Sequence, residues 1–355
     1  MAWQGIEGHD EVVEKFRAML AQGRLASTFL FVGPAGIGKR SFAIRLAQAF
    51  LCQTHPAAAL DPCGTCAGCQ QVLAGTHPDL LRVSRPADKS FIPVEAFIGS
   101  KEKRMQEGLC HDISLKPFMG GRRVAIIDDA DHLNEEGANS LLKTLEEPPP
   151  QSVLILIGTS ADRQLPTIRS RAQLLRFRPL SAAVVADLLL ARGIVTDRAQ
   201  AEDLGMRSGG SLEQAQSLAD PALWKFRDTL LVHLLDTNFD NVSFAKTLSA
   251  FIDEAGKEAS ARRARMRLVI GFALETYRDL LRVQAGAEPV DRQLADALSR
   301  ATSSGRFEQV DVAALVDRCL EALTHIDRNA NQSALLECWL DDVAQLLHAA
   351  PATRG

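Results

Sequence analysis

No apolar run in this chain approaches the ~18 residues that a membrane-spanning helix needs; the longer ones, such as residues 153–157, are far shorter. Charge of one sign is also missing. Lys and Arg number 40 against 44 Asp and Glu, a net charge of −4, which excludes a polybasic nucleic-acid tail as the main feature. There is no repeat at a fixed period and no low-complexity tract, so solenoid and fibrous chains are excluded. The stretch Met1 to Lys15 is polar and acidic and lacks the apolar core of a secretion signal, which predicts a cytoplasmic protein without a membrane partner. What is present is the composition of a folded protein: 355 residues, 46% hydrophobic and 24% charged, long enough for roughly two or three domains.

Through the first half, apolar runs alternate with helical stretches at 28–32, 41–51, 79–83, 122–128, 139–147 and 152–159. That alternation predicts an α/β domain, a parallel sheet with helices on both faces. Residues 124–127 and 153–157 are apolar without alternation, as strands buried on both faces require. After Arg178-Pro179 the strand signals fade, and helices follow, broken at 192–193, 208–210, 220–221 and 288–289. Val269, Phe272, Ala273, Tyr277 and Leu280 recur at spacings of three and four and share one helix face. We expect three domains: 1–179 with a small metal module at 52–69, a small helical domain at 180–220, and a helical bundle at 221–355. The segment Lys257 to Arg282 carries a local excess of basic residues, for which a solvated helix face is the simpler reading and a nucleic-acid contact the other.

Directly after the run 28–32 comes Gly33-Pro34-Ala35-Gly36-Ile37-Gly38-Lys39-Arg40, followed by a helical stretch. This is the strand-loop-helix context of a phosphate-binding loop. The glycines let backbone N–H groups converge on phosphate oxygens at a helix N-terminus, and Lys39 supplies positive charge to the β- and γ-phosphates. The next position normally carries Ser or Thr, whose hydroxyl ligates Mg²⁺. Arg40 has only donors and a positive charge, so the metal ligand is gone while the loop remains. A buried strand ending in Asp128-Asp129 supplies the second half of such a site. Asp128 fits the residue that holds Mg²⁺ through water, whereas Asp129 is one methylene shorter than the Glu that polarises attacking water. The cofactor-binding set is therefore Gly33, Gly36, Gly38, Lys39 and Asp128, a degenerate nucleotide site in which ATP and Mg²⁺ are doubtful.

Four of the seven cysteines, Cys52, Cys63, Cys66 and Cys69, fall within one short segment. Three sit on a Gly-containing knuckle and one ends the preceding helix, which suits tetrahedral, structural Zn²⁺ with no open position. An iron–sulfur cluster and unligated thiols are the alternatives. His55 is read as a loop residue and His77 as structural. Cys110, Cys319 and Cys338 are read as small core residues.

Asn139-Ser140-Leu141-Leu142-Lys143-Thr144-Leu145-Glu146-Glu147-Pro148-Pro149, after the acidic strand, resembles the signature of bacterial clamp-loader AAA+ proteins. Ser170-Arg171-Ala172 stands where that family has Ser-Arg-Cys, and Arg328-Asn329-Ala330-Asn331 before a helix resembles its carboxy-terminal collar. The resemblance spans the whole chain. The cysteine-rich insertion, Thr76-His77-Pro78-Asp79-Leu80 and the lack of a long tail after the collar look more like a non-motor subunit of the DNA polymerase III holoenzyme than like its motor.

The resemblance implies an AAA+ P-loop domain, a helical lid at 180–220 and an all-α collar that joins subunits. It further implies partners: other clamp-loader subunits of the gamma/tau and delta types in a hetero-oligomer, a sliding clamp, and primer-template DNA reached through the assembly. In such rings an arginine from one subunit completes its neighbour's ATP site, and Arg171 is at the matching position, a catalytic role in trans. The family's second sensor, an arginine on the γ-phosphate, is Glu213 here, and the first sensor is Thr159 or Ser160. The leading expectation is a non-hydrolysing stator that helps load the clamp during replication, part of a DNA-directed DNA polymerase by assembly and without polymerase activity of its own. The competing readings are an active AAA+ motor and a nucleic-acid reader built on the cysteine knuckle. The latter is weakened by the charge balance and the lack of aromatics beside the knuckle.

Overall fold

In the computed structural model, β1 (Thr28–Val32), β2 (Leu80–Val83), β3 (Arg123–Ile127), β4 (Ser152–Gly158) and β5 (Gln173–Arg176) pair in the order β2-β3-β4-β1-β5, all parallel. The structure describes residues 3–348 apart from 87–88, 120, 236–238, 292–293, 304–306, 308–311 and 329. β1, β3 and β4 are buried at every position, the reason their sequences are apolar after the first residue (Thr28, Arg123 and Ser152). Helices α1 (Asp10–Ala21), α2 (Lys39–Leu51) and α3 (Ala67–Ala74) cover one face. Helices α4 (Glu95–Ile98), α5 (Leu109–Ser114), α6 (Glu135–Glu146) and α7 (Pro166–Arg169) cover the other.

The strand period of two divides β1 between these layers. Phe29 and Phe31 pack on Phe16 and Phe42, with ring centroids 4.9 Å apart for Phe16–Phe29 and 5.9 Å for Phe31–Phe42, while Leu30 and Val32 point into the opposite core. Burial of each such side chain contributes roughly 1.5–3 kcal/mol. β5 departs from the sequence expectation, which placed no strand there. It is a four-residue edge strand in which Leu175 alone is buried, so it carries too little pattern to be read.

Asp79, fully buried just before β2, accepts hydrogen bonds from the N–H groups of Phe118 (2.7 Å) and Met119 (2.9 Å) and ion-pairs with Arg123, whose Nε lies 3.3 Å away. His77 Nδ1 in turn accepts from the Asp79 N–H at 3.0 Å, a structural role as expected. Removing this carboxylate leaves Arg123 buried without its partner. Asp79→Ala is expected to cost about 3 kcal/mol in denaturant unfolding, and Asp79→Asn less, because the amide oxygen still accepts from one N–H. An unchanged midpoint for Asp79→Ala would contradict this.

The chain divides into two compact units, Met1–Ala219 and Asp220–Gly355. The first ends in α8 (Ala182–Ala191), α9 (Arg198–Arg207) and α10 (Leu212–Leu218), started by Ser181, Asp197 and Ser211, whose side chains accept from the N–H three residues on. The second is helical: α11 (Pro221–Leu235), α12 (Asn241–Asp253), α13 (Ala259–Gln284), α14 (Ala295–Ser303), α15 (Val312–Asp327) and α16 (Gln332–His348). The predicted α13 stripe of Val269, Phe272, Ala273, Tyr277 and Leu280 is buried, and Phe226 stacks on Phe251 at 4.0 Å.

The basic stretch of α13 is engaged within the unit. Arg262 pairs with Asp253, Arg265 with Asp220, Arg267 with Asp327 and Arg282 with Asp279, which favours the helix-face reading over a nucleic-acid contact. Asn331 caps α16, accepting from the Ala334 N–H at 3.1 Å, and Asn329 of the same motif lies outside the described residues. Cys110 and Cys319 are core residues, but Cys338 is exposed. On α16 the buried stripe runs through Leu336, Trp339, Leu340 and Val343, and position 338 falls off it. Among the described residues no helix is long and apolar enough to cross a membrane.

Candidate functional site

The loop between β1 and α2 lines a cavity of about 630 Å³ together with Asp128, Asp129, Asp131, Thr159 and Glu213. Two glycines are required here for close approach. A Cβ at Gly33 would overlap the Phe177 carbonyl, and one at Gly36 (φ +73°) would overlap Ser211 Oγ and the Glu213 Cβ. The start of α10 is bonded to the loop, the Leu212 N–H donating to the Gly36 carbonyl at 3.0 Å. Glu213 is thereby held against this loop; Gly36, Gly38, Lys39 and Asp128 line the same cavity, and Gly33 joins them through its carbonyl, which accepts from Lys39 Nζ.

Lys39 is 6% exposed, and its Nζ donates to the carbonyls of Gly33 (2.6 Å) and Pro34 (2.5 Å). Burial pushes its ammonium below the ordinary lysine range, against the pull of Asp131, Asp128 and Glu213. The Arg40 guanidinium forms an ion pair with Asp128, Nε to Oδ2 3.1 Å. The carboxylate expected to hold Mg²⁺ thus faces the residue that replaced the other metal ligand. Burial, then the neighbouring Asp129, raises Asp128 above the usual carboxylate range, while Arg40 opposes the shift. Asp129 takes a left-handed backbone conformation (φ +57°), a position that Asp tolerates better than most residues.

Other contacts at the cavity were not legible in the sequence. Asp131 gathers the end of β4: its Oδ2 accepts from the Thr159 N–H (2.7 Å) and hydroxyl (2.5 Å), and its Oδ1 from Gln164 Nε2 (2.5 Å). Of the two sensor candidates, Thr159 lines the cavity, whereas Ser160 Oγ accepts from the Asp162 N–H at 3.2 Å. His9 Nε2–H donates to the Ile37 carbonyl at 2.7 Å, and burial lowers the pKa of its imidazole. Partners this far apart in the chain leave no local pattern.

The sulfur atoms of Cys52, Cys63, Cys66 and Cys69 all lie within 4.8 Å of one another, with Cys52–Cys66 at 4.0 Å and Cys63–Cys69 at 3.9 Å. Four thiolates around one ion at ~2.3 Å span edges of roughly 3.8 Å, so the cluster fits a tetrahedral metal. Backbone N–H groups support it: His55 donates to Cys52 Sγ (3.3 Å), Cys66 to Cys63 Sγ (3.3 Å) and Cys69 to Cys66 Sγ (3.4 Å). The Cys66 N–H first, then further hydrogen bonds, hold the Cys63 thiol down to about 5, while burial pushes Cys69 up. His55 instead turns its Nδ1 to the Asp61 carbonyl at 2.6 Å.

Arg171, just after α7, lies on the surface of the first unit with its side chain 32% exposed. Its Nε and Nη2 donate to Glu146 Oε1 at 2.9 and 2.6 Å, and its Nη1 to the Thr167 carbonyl and Ser170 Oγ. Glu146 ends α6, so the arginine is braced by the same Leu-Leu-Lys-Thr-Leu-Glu segment that carried the resemblance.

Residues 8–181 match the family described as DNA polymerase III, delta subunit. The subunit delta' of DNA polymerase III from Pseudomonas aeruginosa is 40% identical over 194 residues, 54% of this chain and 56% of that protein. Subunit delta' from Bacillus subtilis is 27% identical over 320 residues, 90% of this chain and 91% of that one. The gamma/tau subunit of Mycobacterium tuberculosis is 29% identical over 307 residues, 82% of this chain and 51% of its own length. The alignment therefore spans little more than half of the Pseudomonas and mycobacterial proteins.

Proposed function

We propose that the chain is a delta-prime-type subunit of the DNA polymerase III clamp loader, a reading supported by the family match over residues 8–181 and by the delta' relatives, and that it acts there as a stator that does not hydrolyse ATP. It joins gamma/tau- and delta-type subunits in a hetero-oligomer through residues 221–355, with 180–220 as the lid of its own pocket. The assembly places a sliding clamp on primer-template DNA, and Arg171 completes the ATP site of the neighbouring motor subunit. Zn²⁺ on Cys52, Cys63, Cys66 and Cys69 serves structure alone, since four thiolates leave no position for substrate.

The observation that carries the non-hydrolysing role is the Arg40–Asp128 ion pair. Hydrolysis in P-loop ATPases needs Mg²⁺ held by a loop hydroxyl and a strand-end carboxylate. Here the hydroxyl is absent and the carboxylate is already neutralised. Asp129 and Glu213 act in the same direction, the first by shortening the reach to water, the second by facing the triphosphate with like charge.

Reconstitution tests the assembly. Mixed with gamma/tau- and delta-type subunits, the chain should elute in a single hetero-oligomer, and clamp loading on primed DNA should depend on its presence. Loading at the full rate without it, or failure to co-elute, would remove the stator role.

A further inference from the structure

One carboxylate holds both ends of the loop between β4 and α7. Asp131 Oδ2 accepts from the N–H and hydroxyl of Thr159, where the loop begins, and Oδ1 accepts from Gln164 Nε2, just before α7. Gln164 is 4% exposed, so water does not compete for this bond. The space around it is also reserved: a Cβ at Gly158 would come within 2.5 Å of Asp131 Oδ1 and 2.6 Å of Gln164 Nε2. Between its ends the loop is folded on itself, the Gln164 N–H donating to the Ala161 carbonyl at 3.1 Å. Beyond it, Leu165 and Ile168 belong to the core on the α6 side of the sheet, and the Arg171 N–H donates to the Ile168 carbonyl at 3.1 Å. Arg171 thus takes its backbone position from a short relay that starts at Asp131.

We propose that Gln164 is a positioning residue for Arg171: its bond to Asp131 sets where α7 leaves the sheet, and so the point from which the guanidinium reaches the neighbouring ATP site. The proposal rests on the trans reading of Arg171. Helix α7 has four residues, too few to hold a shape of its own, so its placement is decided by the tether before it and by the buried Ile168. The side-chain bonds of Arg171 cannot do this, because Glu146 and the Thr167 carbonyl must be released when the guanidinium turns to a phosphate. Only an amide suits position 164. A carboxylate would set like charge against Asp131, and an apolar side chain of similar size would leave Oδ1 without its donor. A displacement of about 1 Å at the reacting groups can cost about 10²-fold in rate, which is the leverage that a tether outside the site has.

The test is single-turnover ATP hydrolysis by the reconstituted assembly, counted per assembled complex. Gln164→Leu should lower the rate at the adjoining motor site about tenfold, with the nucleotide concentration for half-maximal rate unchanged, and Gln164→Glu should lower it at least as far. In the Arg171→Ala background Gln164→Leu should cause no further loss, since a positioning residue acts only through the arginine it positions. Counting per complex separates positioning from stability: a variant that merely folds less well lowers the yield of assembly and not its rate. The free chain supplies a readout that needs no partner. Hydrogen exchange at the Ser170 and Arg171 amides should quicken about tenfold in Gln164→Leu while α6 is unaltered. A rate within about twofold of wild type, an equal loss on the Arg171→Ala background, or unchanged exchange at those amides would overturn the proposal and leave the role of Arg171 standing. If Arg171→Ala itself costs nothing, the trans reading has failed, and that one variant tells the two failures apart.

Discussion

Arg171→Ala will leave the subunits assembled and lower ATP turnover at the adjoining motor site by about 10³-fold or more, the loss typical of a trans arginine. In the free chain Arg171 is held by Glu146 and by the Thr167 carbonyl, partly exposed to solvent. A surface pair of this kind contributes about 0–1 kcal/mol, so its release costs little against the charge-assisted bonds a phosphate offers. Glu146 therefore acts as a resting place for the side chain, and Glu146→Gln should change turnover by no more than about twofold. Arg171→Lys should be nearly as damaging as alanine, because a point charge cannot reproduce the fork. Single-turnover hydrolysis in the reconstituted assembly separates these cases from a loss of nucleotide affinity. Equal rates for wild type and Arg171→Ala would leave the arginine as an ordinary surface ion pair.

Loss of the Zn²⁺ proposed at Cys52, Cys63, Cys66 and Cys69 is expected to have the second large effect. Four-thiolate sites contribute on the order of 10 kcal/mol to folding a short module. This one is continuous with the sheet: Leu51, Leu60 and Val72 from its segment belong to the core over β1, and Trp3 Nε1 donates to the Leu60 carbonyl at 2.7 Å. Chelation, or Cys63→Ser, should therefore unfold residues 52–74, shift the emission of Trp3 towards that of exposed indole, and lower the melting temperature of the first unit. Metal analysis of the purified chain should return about one zinc per chain for a single four-thiolate site. Visible absorbance would instead reveal an iron–sulfur cluster. A chain whose melting curve is indifferent to chelator would show that the thiols stand without a metal.

The sequence disclosed those parts of the molecule whose chemistry is local. A strand covered on both faces carries a continuous apolar run, as residues 29–32, 124–127 and 153–157 do, so β1, β3 and β4 are legible. The phosphate loop and the cysteine knuckle were equally so, because glycine and thiolate spacing is itself the geometry. β5 was missed, since an exposed edge strand imposes almost no pattern, and Cys338 was assigned to the core although it lies beside the apolar stripe of α16. The Arg40 substitution was readable, but its consequence needed coordinates: only the fold brings residue 40 against residue 128. The same holds for Arg171 with Glu146, Thr159 with Asp131, and the docking of α10 on the loop. Each joins elements distant in the chain.

The central claim is that the chain acts on a neighbour's ATP and not on its own. It is tested most directly by the ATP turnover of the purified, zinc-loaded chain in the presence of Mg²⁺, free of any other subunit. Hydrolysis at the uncatalysed background is the predicted result, unaltered by Lys39→Ala. Sustained Mg²⁺-dependent turnover that Lys39→Ala abolishes would contradict it, and would make the chain a motor in spite of Arg40.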